Sequence, residues 1–240
     1  MQTMKSDNLE LAALATSALV NLCNYSPDIK QIFFTKNGLD LILEYLETKK
    51  ELILMNVLRL IQVFIANSEQ FTKKIAEERD QAAVKSLLKI LNGRGVGGLE
   101  YDIRIYQSVI VILRQFIRFF AQAKDTIINS QSLQTIVNKL KPENVRRTPE
   151  LFEIKIYQFL IQLVKEDMNK KYIVGQKMFK DVYQQRLRFI TSENTNADQA
   201  IVLYSNSTGN PGELERNFFK LLHFLSKNCP KNNEGIKSIK

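Results

Sequence analysis

Ile103-Arg104-Ile105-Tyr106-Gln107 recurs as Ile154-Lys155-Ile156-Tyr157-Gln158, and each copy opens a long stretch whose apolar residues fall three and four positions apart. That spacing is the signature of an α-helix. Between 103 and 120 the non-apolar residues are only Arg104, Gln107, Ser108, Arg114, Gln115 and Arg118. A helix apolar around most of its circumference has to lie between neighbours, and stacked helical repeats provide them. The repeated motif therefore points to an all-α chain built from recurring helical units.

Outward from this pair the same order continues. Each long helix is followed by a polar break, a short helix and a medium one. The breaks read Asn24-Tyr25-Ser26-Pro27, Asn67-Ser68-Glu69, Ala123-Lys124-Asp125, Met168-Asn169-Lys170 and Lys231-Asn232-Asn233. Their separations exceed in places the ~40–47 residues of a three-helix solenoid repeat, which predicts insertions in the later units. The periodicity predicts helices over 7–24, 28–36, 38–48, 50–66, 69–79, 81–92, 100–122, 125–130, 132–140, 149–167, 170–190 and 211–228. Thr148-Pro149-Glu150 and Asn210-Pro211-Gly212-Glu213 supply a capping side chain followed by proline, and Gly38 is placed to end one short helix and launch the next. Two loops interrupt the series: the glycine-rich 93–99 and a polar 191–210, read as a flexible insertion. All of 1–240 is read as one helical-repeat domain.

Composition agrees with this reading. Apolar residues make up 45% and charged residues 25% of the 240, with only 9 Gly and 5 Pro, too few to punctuate many short strands. The two cysteines, Cys23 and Cys229, are too few and too far apart for a disulfide framework or a zinc site, so free thiols are expected. Asp7 and Glu10 around the first apolar stretch argue for an amphipathic helix rather than a secretory signal. No run reaches the length of a membrane span. These features place the chain in the cytoplasm, with a cytoskeletal, ciliary or nuclear site also open.

At Leu19-Val20-Asn21-Leu22-Cys23-Asn24-Tyr25-Ser26-Pro27, then Ile32, then Asn37-Gly38-Leu39-Asp40-Leu41-Ile42-Leu43-Glu44-Tyr45-Leu46, the chain resembles the armadillo family. The matching pattern is an alanine-rich third helix, a polar turn, a short helix closing on glycine and a leucine-rich second helix. The match is good over 7–66, rests on helix order over 67–167 and is loose over 168–240. The resemblance implies a right-handed α-solenoid of about four to five degenerate three-helix repeats, with third helices lining a concave groove. It implies no chemistry. Basic, degenerate chains of this kind are associated with large cytoskeletal or ciliary assemblies.

Catalysis has no visible apparatus. Gly93-Arg94-Gly95-Val96-Gly97-Gly98 satisfies G-x-G-x-x-G in letters, but the preceding Val84–Leu91 has helical spacing, and the motif cradles phosphate only after a strand. A nucleotide-binding enzyme using this loop is the least supported reading. The single histidine, His223, excludes most triad and metal arrangements, and no cofactor is expected.

The polar residues carry the functional reading. At 100° per residue Arg104, Gln107, Arg114 and Arg118 fall within about 80° on one helix face. Lys155, Gln158, Gln162 and Lys165 repeat that face in the same register. Glu213, Arg216, Lys220, His223 and Lys227 form a third stripe, and Asn21, with Ser17 and Asn24, begins the series as a neutral one. With a net charge of +9, these stripes predict a groove for an acidic protein or peptide, a microtubule surface among them. Binding of nucleic acid by helical repeats is the alternative. The apolar first helix and the polar 232–236 lead to the further expectation that other chains cover both ends, as in a subunit of a larger assembly or a piece of a longer protein.

Overall fold

The computed structural model describes residues 9–93, 100–140, 150–165, 173–175 and 213–226. Among these residues there are helices and turns and no strand. They fall into two compact units, Met1–Thr126 and Ile127–Lys240.

The first unit opens with α1 (Leu9–Tyr25), α2 (Pro27–Thr35), α3 (Gly38–Leu46) and α4 (Glu51–Ile65). It continues with α5 (Glu69–Asn92), α6 (Ile103–Phe119) and the start of α7 (Gln122–Ile128). The first two polar breaks of the sequence are helix starts. Ser26 Oγ accepts from the Ile29 N–H at 3.3 Å, and Ser68 Oγ accepts from the Phe71 N–H at 3.3 Å. Each serine thereby satisfies a backbone donor that the first turn of a helix cannot. The third break differs from expectation. Ala123, Lys124 and Asp125 lie inside α7, and the chain turns at Phe120 instead, whose extended backbone ends α6. Burial of the Phe120 ring decides that turn over the polar residues after it.

Gly38 launches α3 as expected but does not end α2. The left-handed residue between α2 and α3 is Asn37, at φ 59°, and Gly38 is the first residue of α3. Gly38 matters for its missing side chain, because a Cβ there would collide with the ring and carbonyl oxygen of Phe33.

The long helices α1, α4 and α6 lie in series, α1 against α4 and α4 against α6. Leu54, Leu58, Ile61 and Phe64 on α4 and Ile105, Val109, Ile112, Leu113 and Phe116 on α6 are buried. Phe33, Phe34, Phe64 and Phe71 form one cluster joining α2, α4 and α5, with Phe34 edge-on to Phe64 at 4.7 Å and stacked on Phe71 at 4.6 Å. One polar link crosses the α1–α4 interface: the buried Asn56 donates from Nδ2 to the Ala13 carbonyl at 3.0 Å. Lys30 Nζ donates to the Val63 carbonyl at 2.9 Å, a cation on one of the carbonyls that the last turn of α4 leaves open.

The two helices expected over 69–79 and 81–92 are both present within α5, on either side of a break at Glu78–Gln81 where the backbone is not helical. Arg79, Asp80 and Gln81 all have left-handed backbones, with φ of 47°, 52° and 63°. For residues bearing a Cβ this costs about 1–2 kcal/mol each. Side chains brace the break: Arg79 pairs with Asp40 and Lys85 with Asp80, both at 2.5 Å, and the Thr126 hydroxyl donates to Gln81 Oε1 at 2.9 Å.

The second unit holds α8 (Ser132–Asn138), α9 (Glu150–Val164) and α10 (Glu213–Ser226). Helices α9 and α10 pack together, with Tyr157 and Phe218 rings 5.6 Å apart and Phe152, Phe159, Leu160 and Leu222 buried. Most of the helix expected over 170–190, the insertion 191–210 and the capping residues Thr148-Pro149 and Asn210-Pro211-Gly212 lie outside the described residues.

Candidate functional site

Burial sorts the residues of α6 as the sequence stripe requires. Ile105, Tyr106, Val109, Ile110, Ile112, Leu113, Phe116 and Ile117 are buried, while Arg104 and Arg118 are exposed and Gln107 and Arg114 half-buried. On α9, Lys155, Gln158 and Gln162 are half-buried among buried neighbours, and Lys165, in the turn just past the helix, is exposed. On α10, Arg216, Lys220 and His223 are exposed. Asn21 is exposed on α1. Arg104, Gln107, Arg114 and Arg118 share one face of α6, Lys155, Gln158 and Gln162 one face of α9, and Arg216, Lys220 and His223 one face of α10. Lys227 lies outside the described residues, as does the glycine loop beyond Gly93, which itself ends α5 with an extended backbone.

Charge pairing separates these cations from others in the molecule. Four of the five basic residues of α5 are paired, Lys73 with Glu69 at 2.6 Å, Arg79 with Asp40, Lys85 with Asp80, and Lys89 with Glu47 at 3.2 Å, while Lys74 lies 5.5 Å over the Phe34 ring. Arg104 belongs to this group too. Its guanidinium meets Asp102 at 2.6 Å, and Asp102 Oδ1 accepts from the Arg104 N–H at 2.8 Å as the cap of α6. By contrast Arg118, Lys155, Arg216 and Lys220 have no carboxylate within ion-pairing distance among the described residues. Arg118 instead lies 5.0 Å over the ring of Phe119, an arrangement that leaves its charge available.

Asp102 carries a testable electrostatic signature. The Arg104 guanidinium, and after it the Arg104 backbone N–H, hold its carboxyl at about 2, below the ordinary 3.8. A carboxyl depressed on folding contributes stability above its unfolded value and loses it as pH falls through the folded one. Wild type and Asp102→Asn are therefore expected to differ in denaturation midpoint at pH 5, with the difference shrinking between pH 4 and 2. An unchanged difference across that window would show that Asp102 is not held by Arg104.

A further exposed cation on a long helix escaped the sequence reading. Arg59 on α4 is exposed, with no carboxylate partner among the described residues, and Gln62 is half-buried one turn later. Leu52, Met55, Arg59, Gln62 and Ala66 have the same spacing as Arg104, Gln107, Val111, Arg114 and Arg118. That shared spacing was the available signal. It is faint in the sequence because only one of the five α4 positions is charged.

The polar recess at the C-terminal ends of α3 and α5 was also not foreseen. Glu47 accepts from Ser86 Oγ at 2.6 Å and from Lys89 Nζ. The Ser86 hydroxyl, then Lys89, lower the pKa of the Glu47 carboxyl against the opposing effect of burial. Its bonds are satisfied within the recess, where it joins α3 to α5. Cys23 is buried as a free thiol, and burial raises its pKa, which keeps it in the unreactive protonated form. Among the described residues no cluster of His, Cys, Asp and Glu could hold a metal ion, and no helix is long and apolar enough to cross a membrane.

Fold and surface together define an all-α protein with cations displayed on its long helices. Neither a protein-family model nor a curated protein matches the sequence. Among solved structures, the crystal structure of an engineered protein is similar, with a TM-score of 0.67 and 12% identity over 99% of this chain and 82% of that one. At that identity the likeness concerns the fold alone.

Proposed function

We propose that the chain is an armadillo-like right-handed α-solenoid that works without catalysis, as a scaffold or adaptor holding an acidic protein or peptide segment. The observation that carries this reading is the contrast in pairing. Four of the five cations on α5 are neutralised by neighbouring carboxylates, Lys74 lying over the Phe34 ring instead, whereas Arg59, Arg118, Lys155, Arg216 and Lys220 on the other helices are left without one among the described residues. An acidic chain supplies what they lack through charge-assisted bonds, with Gln107 and Gln162 placed to bond its backbone. The serial contact of α1, α4 and α6 supports a stack of repeats in which each long helix is the third of its unit. A place as a subunit of a cytoplasmic cytoskeletal or ciliary assembly goes with that architecture.

The test uses charge reversal at cations that are not already paired. Arg59→Glu, Arg118→Glu and Lys220→Glu together are expected to weaken binding of a glutamate-rich peptide at least about tenfold. The unfolding midpoint should hardly move, since exposed substitutions usually stay within about ±0.5 kcal/mol. Wild-type binding should also fall as salt is raised. Undiminished binding by the triple variant would overturn the proposal. So would tighter binding to single-stranded RNA than to the peptide at matched salt, which would favour the nucleic-acid reading.

A further inference from the structure

Helix α1 presents two apolar faces, and the fold uses one. Ala12, Ala13, Thr16 and Cys23 are buried, with α4 the main neighbour of the helix. Glu10, Ser17, Asn21 and Asn24 form a polar edge, exposed or half-exposed. Beyond that edge lie Leu11, Leu14, Ala18, Leu22 and Tyr25, within about 80° of one another on the helix. All five are exposed, Leu14 by 68%, Leu22 by 52% and Tyr25 by 84%. Five apolar side chains in one row, most of them large, are more than the scattered exposed leucine of an ordinary surface.

The order of these residues indicates what covers them. Relative to Ala18 they stand at −7, −4, 0, +4 and +7, so their positions are symmetric about it, with Leu14 opposite Leu22 and Leu11 opposite Tyr25. In an antiparallel helix pair with a two-fold axis at position 0, residue −k of one helix faces +k of the other. Ala18 then meets Ala18 of the second copy, Leu14 meets Leu22, and Leu11 meets Tyr25. A small residue at the crossing and large ones on either side is the arrangement that lets two helices approach to 8–10 Å and interlock. Electrostatics allows it as well. The chain has a net charge of +9, yet α1 contains no Lys or Arg, so the pairing faces bring no cations together.

We propose that the chain forms a two-fold symmetric homodimer through this face of α1, with Ala18 on the axis. The occupant is a second copy of the same chain. Each copy contributes on the order of several hundred Å², less than the roughly 800 Å² per partner of a standard interface, so the dimer is a weak one that dissociates on dilution.

Sedimentation velocity over a roughly hundredfold range of concentration reads the dimer directly. A reversible monomer–dimer equilibrium is expected, and Leu14→Glu should weaken it at least about tenfold while circular dichroism stays unchanged. Cysteine pairing then tests the axis, in a Cys229→Ser background with the buried Cys23 retained. Under mild oxidation Ala18→Cys should give a covalent dimer. Leu11→Cys alone should not, whereas a mixture of Leu11→Cys and Tyr25→Cys should. A monomer at every concentration overturns the proposal and leaves the face to a different protein. A dimer indifferent to Leu14→Glu overturns it too, and self-linking of Leu11→Cys as fast as Ala18→Cys would show parallel pairing instead.

Discussion

Phe64→Ala is expected to destabilise the first unit by about 3–5 kcal/mol, the range for removing a fully buried aromatic side chain. Phe64 is completely buried and touches three other rings: Phe33 at 5.2 Å, Phe34 at 4.7 Å and Phe71 at 5.8 Å. The four rings come from α2, α4 and α5, so the cavity left by alanine would open where three helices meet. Phe33 and Phe34 are themselves held by α2, a helix of 9 residues, and cannot follow the missing ring without unseating it. With domain stabilities of about 5–15 kcal/mol, such a loss is a large share of the total. Hydrogen exchange should show it as faster opening of α2, α4 and the first half of α5 together. Phe119→Ala, at a half-buried position on α6, is the control and should cost less. Equal losses for the two variants would mean that the cluster is not the centre of this unit.

Gly38→Ala is the second large effect, about 1–3 kcal/mol from a single added methyl group. An alanine is ordinarily the better residue in a helix by about 1 kcal/mol, so intrinsic propensity predicts the opposite sign. Here the added carbon would overlap both the Phe33 ring and its carbonyl oxygen. The ring could turn aside only by disturbing its stack on Phe64, and the carbonyl only by moving the end of α2. Chemical denaturation gives the sign directly. A neutral or stabilising Gly38→Ala would show that α2 and α3 approach less closely than described. Gly38→Ala combined with Phe64→Ala should cost less than the two effects added, because the cavity of the second gives Phe33 room.

Helix positions were legible in the sequence because apolar periodicity is a local property. The expected 50–66 and 149–167 became Glu51–Ile65 and Glu150–Val164, and the serines of the first two breaks became caps. Legibility stopped where a distant contact outvoted a local signal. Ala123-Lys124-Asp125 has the composition of a turn, but burying Phe120 moved the turn upstream. Gly38 looked like a helix terminator because glycine tolerates left-handed backbone, and Asn37 took that conformation while Gly38 answered to the Phe33 ring.

The polar stripes divide along the same line. Their alignment on single helix faces follows from 3.6 residues per turn, which residue spacing alone determines. Which of their charges are free for a partner does not follow from spacing, because ion pairing depends on what folding brings within a few ångströms. Arg104 and Arg118 occupy the same face of α6, yet one is held by the cap residue Asp102 and the other rests on the Phe119 ring. Arg59 stood on a helix already recognised and became conspicuous only through its exposure. The apolar row of α1 was likewise visible as a set of leucines. Only packing against α4 showed which of them the core takes, and which the chain leaves facing outward.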